Sequence, residues 1–372
     1  MELLLLAIVP YFLLYTCLYV IISTKKRAGG NPGSDVITPG KTAAGHRPLL
    51  SVIIPFRNEA AKLVMITGDL EKQEWPASHT EIILVDDGST DGSFQEAVRL
   101  TTGRKNCRVI SNQGSGKKEA IAAAIGMANG AMIVTSDADC RLNNGWLAGI
   151  ALVYIESGAD VIIGPVYPVV KPGIANLLLQ VEAAAIQSVT EATAIIDHAV
   201  MASGANLAFT RDVAGKYLDF IRPEISSGDD MFLLHRAKRE KRKIVFNYTD
   251  QAEVLTESPD TFKDFFKQRT RWSSKGIKYN DTDTLVVGLI TLLTNLVVAT
   301  GFVLALFIPG FIKIAVAAWI VKSVPDFLLI LKKTANRNHG AIPVWLLPLS
   351  LIYPFYVSVV SIAGIFLRSS WK

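Results

Sequence analysis

The sequence has little cysteine and little charge. Its three cysteines, Cys17, Cys107 and Cys140, are far apart in the chain. They form neither the spacing of a zinc site nor the even set of a disulfide framework, so we expect a reducing, cytosol-facing catalytic part. Charged residues are only 19% of the 372 residues, and hydrophobic residues are 50%. This composition excludes an ordinary soluble domain and predicts that part of the chain lies in lipid.

Two kinds of nucleotide-binding protein are also excluded. The net charge of +5 is mild and no basic stripe alternates with aromatic residues, so we expect no nucleic-acid partner. The segment Gly114–Lys117 resembles a phosphate-binding P-loop, but Ser111 and Lys118 stand where that motif needs Gly and Ser or Thr. Lys117 remains a lysine near a helix start, which either faces an anion or is solvated.

Four long apolar segments are present instead. The first, residues 3–22, has no charge and is followed at once by the basic cluster Lys25–Arg27. About twenty apolar residues cross a bilayer, and a basic cluster after them predicts an uncleaved anchor with the downstream chain in the cytoplasm. Three more spans follow at residues 284–308, 311–331 and 342–367. Lys322 and Asp326, inside the third of the four, are expected to face the bundle interior or a polar cavity.

The chain therefore divides into four predicted parts. They are an N-terminal transmembrane helix at residues 1–23, a linker at 24–49, a cytoplasmic domain with interfacial helices at 50–280, and three transmembrane helices at 281–372. Inside the domain, apolar strand patterns near residues 50, 81, 108, 131 and 160 are separated by helix-length segments. This alternation predicts an α/β fold with a mainly parallel central sheet, whose polar strand ends line one edge.

The run Ala131–Asp139 ends one of these strands with two carboxylates. Because side chains alternate along extended backbone, we expect Asp137 and Asp139 to point to the same side, with Ala138 pointing away. Two acids at the carboxyl end of a strand are suited to hold a hard cation and, through it, a diphosphate. The alternative is a solvated turn, because this pattern is common by chance, as we expect at residues 281–283.

Later segments add further candidates. Asp229 and Asp230 stand directly before a helix, where they serve either chemistry or capping. Gly204 and Asn206 lie in a stretch of small residues that runs into a strand, where backbone can approach a ligand closely. The segment 262–275 mixes aromatic and basic residues, so we expect an amphipathic helix in the membrane interface, with plain anchoring as the alternative.

Five segments, taken together, resemble the membrane-bound family 2 glycosyltransferases. They are residues 54–59, 85–91, 137–139, 228–230 and 268–272, in the order and rough spacing of that family. The group includes cellulose, chitin, hyaluronan and poly-N-acetylglucosamine synthases and ceramide glucosyltransferases. The resemblance covers roughly residues 50–275. It implies a GT-A fold, a nucleotide-diphosphate sugar donor, with a UDP-sugar expected, and a divalent metal, Mg²⁺ or Mn²⁺.

The resemblance also implies roles for individual residues. Those expected to bind the donor are Pro55, Glu59, Asp86, Asp87, Lys117, Asp137 and Asp139. Within this set, Asp137 and Asp139 would hold the metal. Asp230 would be the catalytic base, with Asp229 standing where the family usually has Glu. The group expected to close over donor and acceptor comprises Gln268, Arg269, Arg271 and Trp272, with Gly204 and Asn206 added to it.

These residues predict a membrane-bound inverting glycosyltransferase that acts on a lipid or lipid-embedded acceptor. A divalent ion and arginine stabilise the leaving diphosphate, and one base without an evident covalent nucleophile indicates a single displacement. A processive polysaccharide synthase is the close alternative, although four spans are few for a polymer channel. A non-catalytic membrane scaffold or transporter with a nucleotide-sugar-binding fold is a third. Expected partners are the donor, a lipid or glycan acceptor and membrane lipids, and a bacterial inner membrane suits this compact plan.

Overall fold

The computed structural model describes residues 7–24, 47–215, 217, 228–249, 251–276, 278–335 and 342–366. The chain forms two compact units. The sheet unit comprises residues 27–169 and 201–257, and the helical unit comprises residues 1–26, 170–200 and 258–372. Most of the predicted linker, with the basic cluster Lys25–Arg27, lies outside the described residues.

Two sheets are present in the described part of the sheet unit. Their strands are β1 (Leu50–Phe56), β2 (Thr80–Asp86), β3 (Cys107–Ser111), β4 (Met132–Thr135), β5 (Cys140–Leu142), β6 (Val161–Ile163), β7 (Val166–Pro168), β8 (Leu207–Thr210), β9 (Ile244–Phe246) and β10 (Val254–Thr256). The central sheet has the order β3-β2-β1-β4-β8-β6-β9, in which only β8 is antiparallel to its neighbours. The predicted α/β fold with a mainly parallel central sheet is confirmed. The smaller sheet, β5-β10-β7, was not predicted.

The helices of the described residues occur in both units. They are α1 (Val9–Thr24), α2 (Ala60–Glu71), α3 (Ser93–Thr101), α4 (Lys117–Met127), α5 (Trp146–Ser157), α6 (Ile174–Ile195), α7 (Arg211–Ala214), α8 (Asp229–Arg239), α9 (Phe262–Gly276), α10 (Thr282–Ala305), α11 (Phe311–Thr334) and α12 (Ile342–Phe366). Helices α1, α6 and α9 to α12 belong to the helical unit. The others belong to the sheet unit.

The central strands form a fully buried layer. Every residue of β1 and β2 is buried, as expected for parallel strands covered on both faces. Leu63 and Ile66 of α2 and Trp146 of α5 belong to the same core, and none of the three side chains is exposed. This rigid layer fixes the positions of the loops that leave the strand ends.

Three helices of the helical unit, α10, α11 and α12, are long and apolar enough to cross a membrane. They correspond to the three predicted C-terminal spans. Helix α1 has 16 described residues, which make about 24 Å of helix, compared with roughly 30 Å of hydrocarbon in a bilayer. The predicted N-terminal span is therefore not among these three helices.

A charged pair lies inside the helical unit. Lys322 Nζ donates to Asp326 Oδ2 at 2.6 Å, and Tyr11 of α1 donates to Asp326 Oδ1 at 2.6 Å. The Lys322 side chain is buried, as expected from its spacing to Asp326. Helix α6 packs Val181 and Ala184 in one apolar cluster with side chains of α11 and α12. This packing explains why residues 170–200, predicted to be part of the 50–280 domain, group with the apolar helices instead.

Candidate active site

The candidate residues of the sheet unit meet at one edge of the central sheet. Strands β1 to β4 are parallel, so their carboxyl ends lie on the same side. Strand β8 is antiparallel to β4, with Leu207 opposite Thr135, and therefore begins at that edge. In open α/β sheets, ligands bind in the crevice outside the carboxyl ends of the strands.

Asp137 and Asp139 lie in a turn after β4 and not on extended backbone. The strand ends at Thr135, and the Cys140 N–H donates to the Asp137 carbonyl at 3.1 Å. The expected alternation along a strand is therefore wrong for these two residues, because the chain turns before it reaches them. The two carboxylates nevertheless interact: burial, and then the charge of Asp137, raise the pKa of Asp139 to about 6. A cation would relieve this repulsion.

Lys117 interacts electrostatically with acids of both pairs, Asp137 and Asp139 after β4 and Asp229 and Asp230 at α8. It is the first residue of α4, and its Nζ lies 2.5 Å from Asp137 Oδ1. Burial alone lowers the pKa of Lys117, but the charges of Asp137, Asp229 and Asp230 raise it overall. The ammonium is therefore charged at neutral pH and interacts with both acidic pairs. The alternative of a solvated lysine does not apply, since only 17% of the side chain is exposed.

The two acids at the start of α8 have different environments. Asp229 is buried and accepts a hydrogen bond from Tyr217 Oη at 3.3 Å. Asp230 is partly exposed; its Oδ2 accepts from the Gly204 N–H at 3.0 Å and its Oδ1 from the Met231 N–H at 2.8 Å. Asp230 thus binds an N–H in the first turn of its own helix, whose N-cap is Gly228, and also binds the Gly204 N–H in the loop before β8. A role at the helix start and a chemical role are therefore compatible.

A small cavity of about 10 Å³ lies beside these acids. Gly204, Tyr217, Asp229 and Asp230 are among its lining residues, and its volume suits about one water molecule. A Cβ atom at Gly204 would lie 3.6 Å from Lys117 Nζ and 3.9 Å from Asp229 Oδ2. The glycine thus brings unobstructed backbone close to the lysine and the acids.

Asp87 follows directly after β2, and only one of its two carboxylate oxygens accepts hydrogen bonds within the described part of the chain. Its Oδ1 accepts from Asn112 Nδ2 and from the Gly116 N–H, each at 2.8 Å. Its Oδ2 is buried and has no hydrogen-bond partner among the described residues. A buried carboxylate oxygen without a donor is costly, so this atom suits a donor group of a ligand. Asp86 instead accepts the Ser89 N–H at 3.1 Å, within its own turn.

Pro55 lies in β1 beyond the part of the strand that pairs with β4. Ile53 is the last residue of β1 that pairs with β4, opposite Thr135. Pro55 lies beyond this last pair and has no N–H to offer to another ladder position. A proline is therefore tolerated in this buried, central strand.

Glu59 lies at the start of α2, after the loop that follows β1. Its carboxylate forms an ion pair with Lys62 at 2.8 Å, and Lys62 also pairs with Glu257 at 3.1 Å. The charges of Lys62 and Glu59 both act on Asp139. Glu59 is thus electrostatically part of the acidic turn after β4.

The Asn206 side chain is engaged in the fold. Its Nδ2 donates to the carbonyls of Pro165 at 2.9 Å and Ala252 at 2.8 Å, and its Oδ1 accepts from Trp146 Nε1 at 2.9 Å. Only 2% of the residue is exposed. This geometry suits a residue that holds the loop of Gly204 in place.

Gln268, Arg269, Arg271 and Trp272 lie on α9, in the helical unit. Arg269 is buried and donates from Nε to Glu182 Oε2 at 2.7 Å. Its guanidinium carbon lies 4.2 Å from the centre of the Trp272 ring, and Trp272 itself is 43% exposed. Arg269, and not the partly exposed Arg271, is therefore the buried arginine of this segment.

The acidic residues of the sheet unit fit a metal that is shared with a substrate. Among the described residues, no three His, Cys, Asp or Glu side chains are grouped closely enough to hold a metal ion by themselves. Mg²⁺ is commonly bound by one or two carboxylates plus substrate phosphates and water. Asp137 and Asp139 match this partial set of ligands.

Two residues of the site were missed in the sequence. Asn112 follows β3, and a polar residue at a strand end was the available signal for it. Tyr217 belongs to no motif, and its contact with Asp229 depends on tertiary structure. Burial, and then Asp229 and Asp230, raise the pKa of Tyr217, so its hydroxyl remains a donor at neutral pH.

Comparison with known proteins shows a match to one family over part of the chain. Residues 51–218 match the family model described as Glycosyl transferase family 2. Glycosyltransferase AglE of Haloferax volcanii is 31% identical over 120 residues, which are 32% of this chain and 40% of that protein. An undecaprenyl-phosphate 4-deoxy-4-formamido-L-arabinose transferase of Aeromonas hydrophila is 37% identical over 97 residues, 25% of this chain and 29% of that protein. The matches thus span less than half the length of either curated relative.

A solved structure shares the architecture. The mannosyltransferase PcManGT from Pyrobaculum calidifontis, in complex with GDP-Man and Mn²⁺, aligns with a TM-score of 0.59 at 17% identity, covering 97% of this chain and 98% of that one. At this identity the likeness concerns the fold alone, and it agrees with the GT-A-type fold predicted from the motifs. Within this fold, the segment that matches the family 2 model is residues 51–218.

Proposed function

We propose that the protein transfers a sugar from a nucleoside-diphosphate sugar to a lipid or lipid-embedded acceptor. The observation that carries this proposal is the position of Lys117, whose ammonium contacts Asp137 and interacts with Asp229 and Asp230. The acids assigned to donor and metal and the acid assigned as base therefore lie together at one sheet edge. The match to the family 2 model supports glycosyl transfer as the reaction.

The donor, with a UDP-sugar as the first choice, is bound by the loops after β1 to β4. Asp87 offers its unpartnered Oδ2 to a donor group of the nucleoside, with Pro55, Glu59 and Asp86 around it. Lys117 stands at the N-terminus of α4, where the helix dipole and the ammonium both attract phosphate.

Asp137 and Asp139 hold a divalent cation, Mg²⁺ or Mn²⁺. When bound, this ion neutralises the charge that develops on the leaving diphosphate. The structural neighbour with Mn²⁺ and GDP-Man in its complex is consistent with this assignment. Because the pKa of Asp139 is about 6, this carboxylate is largely ionised at neutral pH and can bind the metal.

Asp230 is the base that removes the proton from the acceptor hydroxyl. Hydrogen bonds from the Gly204 and Met231 N–H groups fix its carboxylate, and its partial exposure leaves it accessible to a hydroxyl. Asp229 is buried against Tyr217 and instead supports the loop. With one base and no covalent nucleophile, the sugar is transferred in a single displacement with inversion.

The acceptor is a lipid, because the chain carries three helices suited to cross a membrane. One relative acts, by its name, on an undecaprenyl phosphate. Gln268, Arg269, Arg271 and Trp272 close over donor and acceptor, with the exposed indole of Trp272 available to a sugar ring. The catalytic part faces the cytoplasm, in a multi-pass arrangement that suits a bacterial inner membrane.

Purified protein in detergent, incubated with labelled UDP-sugars or GDP-mannose, a divalent metal and membrane lipids, tests the reaction. Transfer of one sugar to a lipid is the expected result. Asp230→Asn should abolish transfer while donor binding survives, and Asp139→Asn should weaken the metal-dependent part of donor binding. Glu74→Gln, an exposed acid outside the site, is the matched control and should behave like the unaltered protein.

Three other outcomes would each contradict part of the proposed function. A ladder of long glycans would replace single addition with the processive alternative. Donor binding without any transfer, by the unaltered protein, would favour the non-catalytic scaffold or transporter. Unchanged turnover in Asp230→Asn would remove Asp230 from its role as base.

A further inference from the structure

A buried ion pair connects three helices of the helical unit. Arg269 of α9 donates to Glu182 of α6 from Nε at 2.7 Å and from Nη2 at 2.5 Å, both to Oε2. The other oxygen of Glu182, Oε1, accepts from Tyr356 Oη of α12 at 2.9 Å. Both charged side chains are buried. Each carboxylate oxygen and the guanidinium edge therefore have a defined partner.

Stability alone does not account for this pair. Removing two charges from water costs free energy that their attraction only partly returns, and apolar replacements of such pairs are often as stable or more stable. What the pair does provide is a fixed direction, because two nitrogens of the planar guanidinium converge on one carboxylate oxygen. The orientation of the Arg269 plane is thus set from α6 and α12.

The rest of Arg269 contacts the candidate motif of α9. Its Nη1 donates to Gln268 Oε1 at 2.8 Å, and its guanidinium carbon lies 4.2 Å from the Trp272 ring centre. Phe265, one turn earlier, lies 5.1 Å from the same carbon and stacks on the Tyr356 ring at 5.5 Å. One guanidinium therefore contacts two of the residues assigned to closure over the substrates.

We propose that Arg269 is a positioning residue for transfer, and that Glu182 and Tyr356 act through it. The planar guanidinium, held by Glu182, fixes the Gln268 amide and supports the indole of Trp272. The exposed part of that indole then receives the sugar ring or sugar-bearing head of the acceptor, as aromatic faces do with apolar C–H surfaces. This inference rests on the proposed glycosyl transfer, because it assigns the ligand of Trp272.

Arg269→Lys separates this role from a purely structural one. Lysine keeps the charge opposite Glu182 but has no planar fork to stack on Trp272 while it bonds to Gln268. We expect the thermal midpoint to change little, Trp272 fluorescence to become more accessible to a collisional quencher, and kcat/KM for the acceptor to fall on the order of tenfold or more. The KM for the donor should stay within about twofold, since the effect is on the acceptor side.

Further variants define the contribution of the partners. Trp272→Phe, measured alone and combined with Arg269→Lys, identifies the fluorescence that belongs to Trp272 among the six tryptophans. Tyr356→Phe removes one hydrogen bond to Glu182 and keeps the ring on Phe265, so it should change quenching and acceptor KM in the same direction but less. Lys263→Gln, an exposed residue of the same helix, is the control and should change neither.

The readouts distinguish two kinds of failure. If quenching of Trp272 and the acceptor KM are unchanged in Arg269→Lys, the ion pair only joins helices and the inference is overturned. If the unaltered protein transfers no sugar, the proposed function fails, while quenching still reports whether Arg269 positions Trp272. If Arg269→Lys lowers the thermal midpoint strongly and leaves quenching unchanged, a structural role is likewise established.

Discussion

The Nζ atom of Lys117 lies 2.5 Å from Asp137 Oδ1. The Lys117 ammonium therefore contacts a carboxylate oxygen that we assign as a ligand of the divalent metal. Charges of the same sign at such distances repel strongly in a partly buried site. In the protein without a donor, the lysine and the metal thus compete for Asp137, and the phosphates of the donor give the lysine another partner.

Lys117→Met tests this competition. Without nucleotide, the affinity for Mn²⁺ should rise severalfold, because Asp137 loses its internal counter-ion. Donor affinity in the presence of metal should fall about tenfold, equivalent to the loss of roughly 1.4 kcal/mol. Electron paramagnetic resonance of free Mn²⁺ measures the first effect and calorimetry the second. Lys105→Met, an exposed lysine, is the control, and equal or weaker Mn²⁺ binding in Lys117→Met would contradict the competition.

The pKa of Asp139, about 6, predicts a pH dependence of metal binding. A carboxylate must be deprotonated to bind a metal, so protonation of Asp139 below its pKa opposes binding. Lowering the pH from about 7.5 to about 5.5 should weaken metal-dependent donor binding roughly fourfold. In Asp139→Asn, binding should be weaker throughout and this step should be absent. A step of equal size in that variant would assign the titration to another group.

Gly204→Ala should separate folding from catalysis. The added methyl group would lie in ordinary contact, 3.6 Å from Lys117 Nζ, so we expect a thermal midpoint within about 2 °C of the original. It would nevertheless narrow the space beside Asp230, and kcat/KM should fall about tenfold or more. Gly126→Ala, with open space around its Cβ position, is the control and should keep full activity. Full activity in Gly204→Ala would show that no ligand approaches this backbone.

Asn206→Ala, unlike Gly204→Ala, should lower the stability of the fold. It leaves the Ala252 carbonyl and the Trp146 N–H without their Asn206 partner, while the Pro165 carbonyl keeps the Val254 N–H. This loss should cost about 2–4 kcal/mol of the free energy of unfolding. Chemical unfolding in detergent measures the loss, with the exposed Asn144→Ala as the control. Unchanged stability together with lost transfer would instead make Asn206 a ligand contact.

The strands that carry the site were predictable because each is an apolar run with polar residues at its end. Patterns near residues 50, 81, 108 and 131 correspond to β1, β2, β3 and β4. The strands β5, β7 and β10 have three residues each, too few to show a period. Their pairing depends on contacts between distant segments, 88 residues apart for β7 and β10 and more than a hundred residues apart for β5 and β10.

Other features of the site depend on tertiary structure that residue types do not reveal. The pattern Asp137-Ala138-Asp139 is compatible with a strand or a turn, and only the end of β4 at Thr135 decides between them. Likewise, residue type alone does not show which of Arg269 and Arg271 is buried. Arg269 is the buried one because Glu182, 87 residues away, pairs with it.

The proline at position 55 has a consequence for the shape of the nucleotide crevice. The Ser136 N–H still donates to the Ile53 carbonyl at 3.3 Å, but Pro55, the next β1 residue on the β4 side, has no N–H to donate. This end of the ladder between β1 and β4 therefore lacks a backbone donor, whether or not a sugar nucleotide is present. Replacing Pro55 by a residue with an N–H would supply that donor and allow one more hydrogen bond between the two strands at the crevice.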